Sequence, residues 1–451
     1  MKPYSFNKKS ILTFGLIFIS LIVIYLLTLY ISALLPSGKI KTNIKESVQI
    51  INDQRDWVDP FVFSGTENKS PLTIDIGADA IMMNIIYCMD STSPFKNVLT
   101  NKFHGKSDFY DCMPNLTATV NGDAPTEFLY GRYWHGYITV LRPLFMFFNY
   151  LELRTVNFFV FSLLISLLII YTTKKLGYFI ALALSLSFVY INFWCIPMAF
   201  LYLPPFYLVL ISSLIIVYLN KQKEIFYLKL FFIIASLTAF FDFLTVPLVT
   251  FGVPFIFVLI KHEDYFKKQP FKQLFMLLFK LGLCWILGFI LTWAMKIIIV
   301  SLVDMNVISE SIQQLKGRTS MDLGGNGFLA VRYVAFYRNL KAMFFEINPY
   351  ETMFILGFMI SSWLIFRKKE KFSPVFYIYV ILSIVPYLWY VFAANHSIMH
   401  CSFTYRLQMI TLLGLLLAYR ESIDMEKVKS SFMMLREKIF TKKTIKQITD
   451  I

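Results

Sequence analysis

The run Ile11–Leu35, ILTFGLIFISLIVIYLLTLYISALL, decides the class of this protein. Lys8-Lys9 precedes it, and it contains no charged side chain. A helix rises about 1.5 Å per residue, so about 20 apolar residues cross the ~30 Å hydrocarbon layer of a bilayer. The run exceeds the ~7–15-residue core of a signal peptide. No Ala-x-Ala cleavage site lies directly after it. It is therefore expected to be an uncleaved first transmembrane helix.

Working outward, similar apolar segments recur along the 451 residues. They fall at about 154–172, 177–194, 200–219, 225–241, 246–260, 274–301, 351–366, 375–394 and 404–419. The expected fold is all-α: a polytopic membrane protein with about ten transmembrane helices (ten to twelve). The composition agrees. Charged residues make up 16% of the chain, against about a quarter in soluble domains. Aromatic residues reach 18%, which suits lipid-packed helices with interfacial anchors.

The formal net charge is +15. Its distribution excludes a nucleic-acid groove, because the cations sit in short clusters between apolar segments rather than in one stripe. With the amino terminus inside the cell, every alternate connection should be basic. Each one is: Lys8-Lys9, Lys174-Lys175, Lys221/Lys223, Lys261/Lys267/Lys268, Arg367 to Lys371, and the tail from Arg420. The expected organisation is a first transmembrane helix (1–35), a large extracytoplasmic segment (36–153) and transmembrane helices two to seven (154–301). A second extracytoplasmic segment (302–350), helices eight to ten (351–419) and a basic cytoplasmic tail (420–451) follow. Both termini are expected in the cytoplasm of a plasma-membrane protein. Five cysteines occur without a Cys-x-x-Cys. Cys88 and Cys112 share the first external segment and are a candidate pair.

Ionisable side chains beside a bilayer are functional suspects, and here they concentrate on the expected outer side. In Asp75-Ile-Gly-Ala-Asp79 the two carboxylates share one face if the stretch is helical. A carboxylate near a hydroxyl acts as general base, and a pair binds a divalent cation. The alternative is an N-capping Asp followed by a solvated one. Gly131-Arg132-Tyr-Trp-His135-Gly136-Tyr137, then Arg142, offers guanidinium groups suited to phosphate and aromatic faces suited to sugars. Its glycines favour close backbone approach. A membrane-interface belt is the competing reading.

Asp242 sits alone at an apolar hairpin tip, where a charge needs a partner. Lys296 stands in a long apolar helix at the end that positive-inside statistics disfavour, so it either snorkels or meets a phosphate. Gly324-Gly-Asn-Gly327, with Arg332 and Arg338, is a candidate flexible loop facing phosphate. His396 and His400 lie four apart before Arg406. That spacing suits a metal on a helix, or hydrogen bonds to a substrate or phosphate.

Taken together, these residues resemble the GT-C superfamily of polyprenyl-phosphate-sugar glycosyltransferases. More narrowly, Tyr130-Gly-Arg-Tyr-Trp-His-Gly-Tyr137, Leu141-Arg-Pro143, Asp242-Phe-Leu-Thr-Val-Pro247 and Asn395-His-Ser397 with His400 and Tyr405-Arg406 resemble Gram-positive membrane proteins that decorate cell-wall polysaccharides. The resemblance implies inverting transfer from an undecaprenyl-phosphate-linked sugar to a hydroxyl of a surface glycan, at the extracytoplasmic face. The acid in the first external segment maps onto Asp79, with Asp75 second. Arg132, His135, Arg142, Asp242, Lys296, Arg332, His396, His400 and Arg406 are the expected substrate- and phosphate-binding set. A divalent cation, Mg or Mn, is left open, with Asp75 and Asp79 as its ligands. The expected partners are the lipid donor, the glycan acceptor, the bilayer and a second enzyme that makes the donor. Nucleic acid is not among them. Rival readings are a transporter or flippase, which needs ionisable groups near the midplane, and a polymerase or ligase of lipid-linked glycans.

Overall fold

The computed structural model describes residues 4–54, 72, 74–106, 108–319, 327–347 and 349–434. The glycine-rich stretch up to residue 326 and the tail beyond residue 434 lie outside them. Among the described residues the structure is helical apart from one antiparallel ribbon, β1 (Phe103–Gly105) with β2 (Thr126–Phe128), in which Phe103 pairs with Phe128.

Among the described residues, seven helical stretches are long and apolar enough to cross a bilayer. They are α1 (Lys8–Ala33), α7 (Tyr150–Leu176), α10 (Glu224–Phe241), α13 (Phe271–Ser301), α16 (Pro349–Phe366), α17 (Pro374–Phe392) and the stretch Cys401–Ser422. That last stretch combines α19 (Cys401–Thr404), a short 3-10 turn and α20 (Met409–Ser422). Three more of the expected spans form shorter apolar helices: α8 (Tyr178–Tyr190), α9 (Leu203–Tyr218) and α11 (Val249–Lys261). Their 13 to 16 residues give about 20–24 Å of helix, less than the hydrocarbon layer. Ile11, Leu16 and Ile19 of α1 and Phe354, Phe358 and Ile360 of α16 are largely exposed. Apolar surface on that scale is tolerated where lipid covers it.

Helices α10 and α13 pack closely because Gly288 has no side chain: a Cβ there would collide with the Phe232 carbonyl. Small residues bring helix backbones together in membranes in this way. Between α1 and α7 lie α2 (Ser37–Gln54), α3 (Ile76–Cys88), α4 (Pro94–Thr100), α5 (Cys112–Asn121) and α6 (Ile138–Leu144). The short α12 (Glu263–Phe266) follows α11. The second long connection contains α14 (Asn306–Arg318) and α15 (Phe328–Phe344), and α18 (Ala394–Met399) follows α17.

The basic connections meet at one end of this bundle. Lys175 of α7 donates to the Tyr218 carbonyl at the end of α9, and Lys261 of α11 to that of Val217. Glu263 and Glu421 gather Lys267 and Arg420. Glu224, at the start of α10, accepts from the Tyr4 amide and from Lys280 at 2.9 Å. Helix α10 runs from this basic end for 18 residues, about 27 Å, to Asp242 at the other.

Candidate functional site

At that other end a cavity of about 720 Å³ opens between α3, α5, the run Tyr130–Tyr137, the α10–α11 turn, α14 and α18. Four segments far apart in sequence therefore share one mouth. Asp75, Arg132, His135, Arg318, His396 and His400 are its acidic, basic and imidazole lining groups.

Asp75 and Asp79 part company at the start of α3. Asp75 is the N-cap, and its Oδ1 accepts the Ala78 amide at 3.0 Å. It remains in the cavity wall. Asp79 faces the core and is fully buried. It accepts from the Tyr150 hydroxyl at 2.6 Å and from the amides of Phe200 and Leu201 at 3.0 and 3.1 Å. Burial pushes its carboxyl up to about 6, and the Tyr150 bond opposes that shift. Asp79 is therefore a tie between α3, α7 and the segment before α9, not a cavity group. The expected pairing of the two carboxylates fails because helical phase begins at Ile76. Among the described residues no group of three His, Cys, Asp or Glu is arranged to hold a metal. No disulfide joins Cys88 to Cys112, and the Cys88 thiol donates to Asn84.

The run Tyr130–Tyr137 forms an aromatic wall. A Cβ on Gly136 would lie 2.6 Å from the Phe240 carbonyl oxygen. Gly136 thus lets the run press on α10, with its amide bonded to that same oxygen at 3.0 Å. The close approach expected here is real, and it serves helix packing. His135 takes a positive φ of 55°, an uncommon conformation for a side-chain-bearing residue. Its Nε2 lies 2.7 Å from the Tyr130 carbonyl oxygen, and its Nδ1 lies 3.2 Å from the Tyr137 hydroxyl. Burial holds its pKa well below the ordinary value, so the ring is neutral.

Two guanidinium groups face this wall. Arg132 lies 4.4 Å from the centroid of Tyr130, and Arg318 lies 5.6 Å from that of Tyr133. Among the described residues neither has a carboxylate within ion-pair distance. The Nε of Arg132 is buried without a hydrogen-bond partner among the described residues. Arg318 ends α14, one turn after Gln314, which also lines the cavity. Asn395 of α18 holds this end of α14 by donating to the Gly317 carbonyl at 2.7 Å.

Three other expected phosphate binders have different tasks. Arg142 donates to the carbonyls of Ser32, Leu35 and Ile86 at 2.7–3.1 Å, at the ends of α1 and α3. Lys296 donates to Val98 and Leu99 at 3.1 and 3.0 Å, at the end of α4. Arg406 donates to Ile191 at the end of α8 and lies between the rings of Tyr202 and Tyr405. Each cation satisfies orphan carbonyls at a helix C-terminus, where positive charge is favoured. None of the three lines the cavity. Arg332 is buried over Phe328, also off the cavity.

Asp242 caps the α10–α11 turn: both of its oxygens accept the Thr245 amide, and the Thr245 hydroxyl donates to Oδ1. Burial pushes its carboxyl up to about 6. The turn forces Leu244 to a φ of 64°, a conformation costing about 1–2 kcal/mol without glycine. The Leu244 carbonyl then meets His396 Nε2 at 2.9 Å. Asp242 is therefore one step behind the cavity, which Thr245 and His396 line. The rings of His396 and His400 lie 4.7 Å apart.

The chain is thus an all-α polytopic membrane protein with an aromatic-walled cavity, carrying a few ionisable groups, at the end of its bundle away from the basic connections. It matches no family model, no curated protein and no solved structure.

Proposed function

We propose that the chain is a membrane glycosyltransferase of the GT-C type. It takes a sugar from a polyprenyl-phosphate donor, with undecaprenyl phosphate as carrier, and transfers it to a hydroxyl of a surface polysaccharide at the extracytoplasmic face. One observation carries the reading: Arg132 and Arg318 line the cavity, and among the described residues neither is ion-paired to a carboxylate. Cations in a half-enclosed site call for an anion, and guanidinium groups suit phosphate. With Asp75 as the facing carboxylate and neutral His135 and His396, the lining favours a singly charged phosphodiester. A sugar on prenyl phosphate is such a diester.

The step is a single displacement with inversion. The acceptor O–H gives its proton to the Asp75 carboxylate. The acceptor oxygen forms its bond to the sugar C1, and the C1–O bond to phosphate breaks. The electron pair goes to the leaving prenyl phosphate, which gains a second negative charge. Arg132 and Arg318 stabilise that developing charge, and the ring of Tyr130, which lines the cavity, packs against the sugar. The base role passes from Asp79 to Asp75, because Asp79's oxygens are engaged in the core.

The test is transfer by membranes containing the full chain, supplied with radiolabelled undecaprenyl-phosphate sugars and purified cell-wall glycan. Asp75→Asn lowers the transfer rate by about 10²–10⁴. Unchanged transfer with Asp75→Asn removes the base from the scheme.

A further inference from the structure

His396 is 4% exposed and lines the cavity. Its Nε2 lies 2.9 Å from the Leu244 carbonyl oxygen. A carbonyl only accepts, so Nε2 carries the hydrogen, and in a neutral ring Nδ1 is then a bare acceptor. That Nδ1 is buried without a hydrogen-bond partner among the described residues. Burial, with the charge of Arg318 and the neighbouring His400 adding to it, holds the ring well below its ordinary pKa. The carbonyl that fixes the tautomer is held in turn by the left-handed Leu244 and the Asp242–Thr245 cap.

A buried acceptor without a donor is costly unless a ligand supplies one. Phosphate oxygens are themselves acceptors and would repel Nδ1. A hydroxyl donates to it. We infer that His396 Nδ1 is a hydroxyl-recognition subsite, which accepts a hydrogen bond from the sugar ring of the donor while Arg132 and Arg318 hold its phosphate. This deepens the glycosyltransferase reading and rests on it. It also moves His396 from the phosphate to the sugar. Asn395, beside it, has its Oδ1 buried without a hydrogen-bond partner among the described residues and is a second acceptor for the same ring.

The experiment measures binding to the detergent-purified full chain. The probes are undecaprenyl phosphate and undecaprenyl phosphates bearing glucose, galactose or N-acetylglucosamine. Two variants separate recognition from structure. The amide N–H of His396→Gln replaces Nε2–H toward Leu244 but puts no acceptor at Nδ1. The oxygen of His396→Asn sits near Nδ1 but leaves the Leu244 carbonyl unpaired. In the wild type at least one glycosylated lipid binds more tightly than the bare one. His396→Gln weakens that lipid by about ten- to a hundredfold and leaves bare undecaprenyl phosphate unchanged, whereas His396→Asn keeps part of the preference. A purely structural role gives the reverse order, with His396→Gln intact and His396→Asn weakened for every probe, and overturns the inference. So does a wild type that binds bare and glycosylated lipids equally. A wild type that binds none of the four sinks the donor reading itself, and the inference with it.

Discussion

Tyr150 donates its phenolic hydrogen to Asp79 across 2.6 Å, linking residues 71 positions apart. The contact separates the roles of the two carboxylates at the start of α3. Asp79→Asn can keep its oxygen toward Tyr150 and the Phe200 amide but then puts its NH2 against the Leu201 amide, so one buried donor loses its acceptor. The expected loss is about 1–3 kcal/mol of stability, read as a lower melting temperature of the purified chain. Asp75→Asn keeps an acceptor for the Ala78 amide and should melt within a degree or two of wild type while losing transfer. Equal stability losses in the two variants would break this division.

The acid response follows from the same burial. Asp79 and Asp242 have folded pKa values of about 6, raised from 3.8. Between those values the folded chain binds more protons than the unfolded one, so this contribution to stability grows as pH falls from 6 to 4 and is lost as pH rises through 6. Neutral His135 and His396 act oppositely: their folded pKa values are depressed, so stability falls once the unfolded histidines protonate below about 6.5. The prediction is therefore a difference. Melting curves from pH 7 to pH 4.5 should fall more steeply for Asp79→Asn than for wild type, since the variant keeps the histidine term and loses one carboxylate term. Parallel curves would show that Asp79 does not titrate in this range.

Much of the fold was legible because a bilayer leaves few choices: apolar runs become helices, and Lys-rich connections collect at one end. The site was legible only in part. Of the expected binding set, Arg132, His135, His396 and His400 line the cavity. Arg142, Lys296 and Arg406 do not, and no property of the sequence separates a cation meant for phosphate from one meant for helix-terminal carbonyls. Both lie beside apolar runs, and the difference depends on which helix ends converge. Asp79 lies off the cavity and Asp75 on it because the phase of α3 relative to Asp75 is set by where the helix starts. Arg318, one of the outer cations, was left out of the expected binding set, although a signal existed: Gln314 and Arg318 fall four apart on one face of a short amphipathic stretch.

Arg132 and Arg318 bear on affinity for the carrier. Arg132→Met and Arg318→Met should each raise the KM for the lipid donor by about tenfold or more, as expected when a charge-assisted bond of ~1.5–3 kcal/mol is lost. Arg→Lys should rescue only partly, because a point charge does not reproduce the planar fork or its stacking on Tyr130 and Tyr133. The double variant should cost less than the product of the two, since both cations act on one phosphate. Strict additivity would place them on separate groups. Titrating binding of undecaprenyl phosphate to each variant reads the effect without needing the sugar.

Sidedness is the condition on which an acceptor polysaccharide depends, and Cys112 reports it. Its side chain lines the cavity at the start of α5, while Lys429 is exposed beyond α20, on the side of the basic connections. In a chain whose other cysteines are replaced by serine or alanine, a membrane-impermeant maleimide should label Cys112 in intact cells. In the same background with Cys112 removed, Lys429→Cys should be labelled only after permeabilisation. The two positions are at opposite ends of one bundle, so orientation fixes both results together. The reverse pattern would put the cavity in the cytoplasm, where no surface glycan can reach Asp75. The site would then have to serve an acceptor on the inner leaflet. Labelling of both positions in intact cells would mean that helices between them do not span the bilayer, and the arrangement of α10 from Glu224 to Asp242 across the hydrocarbon would be lost.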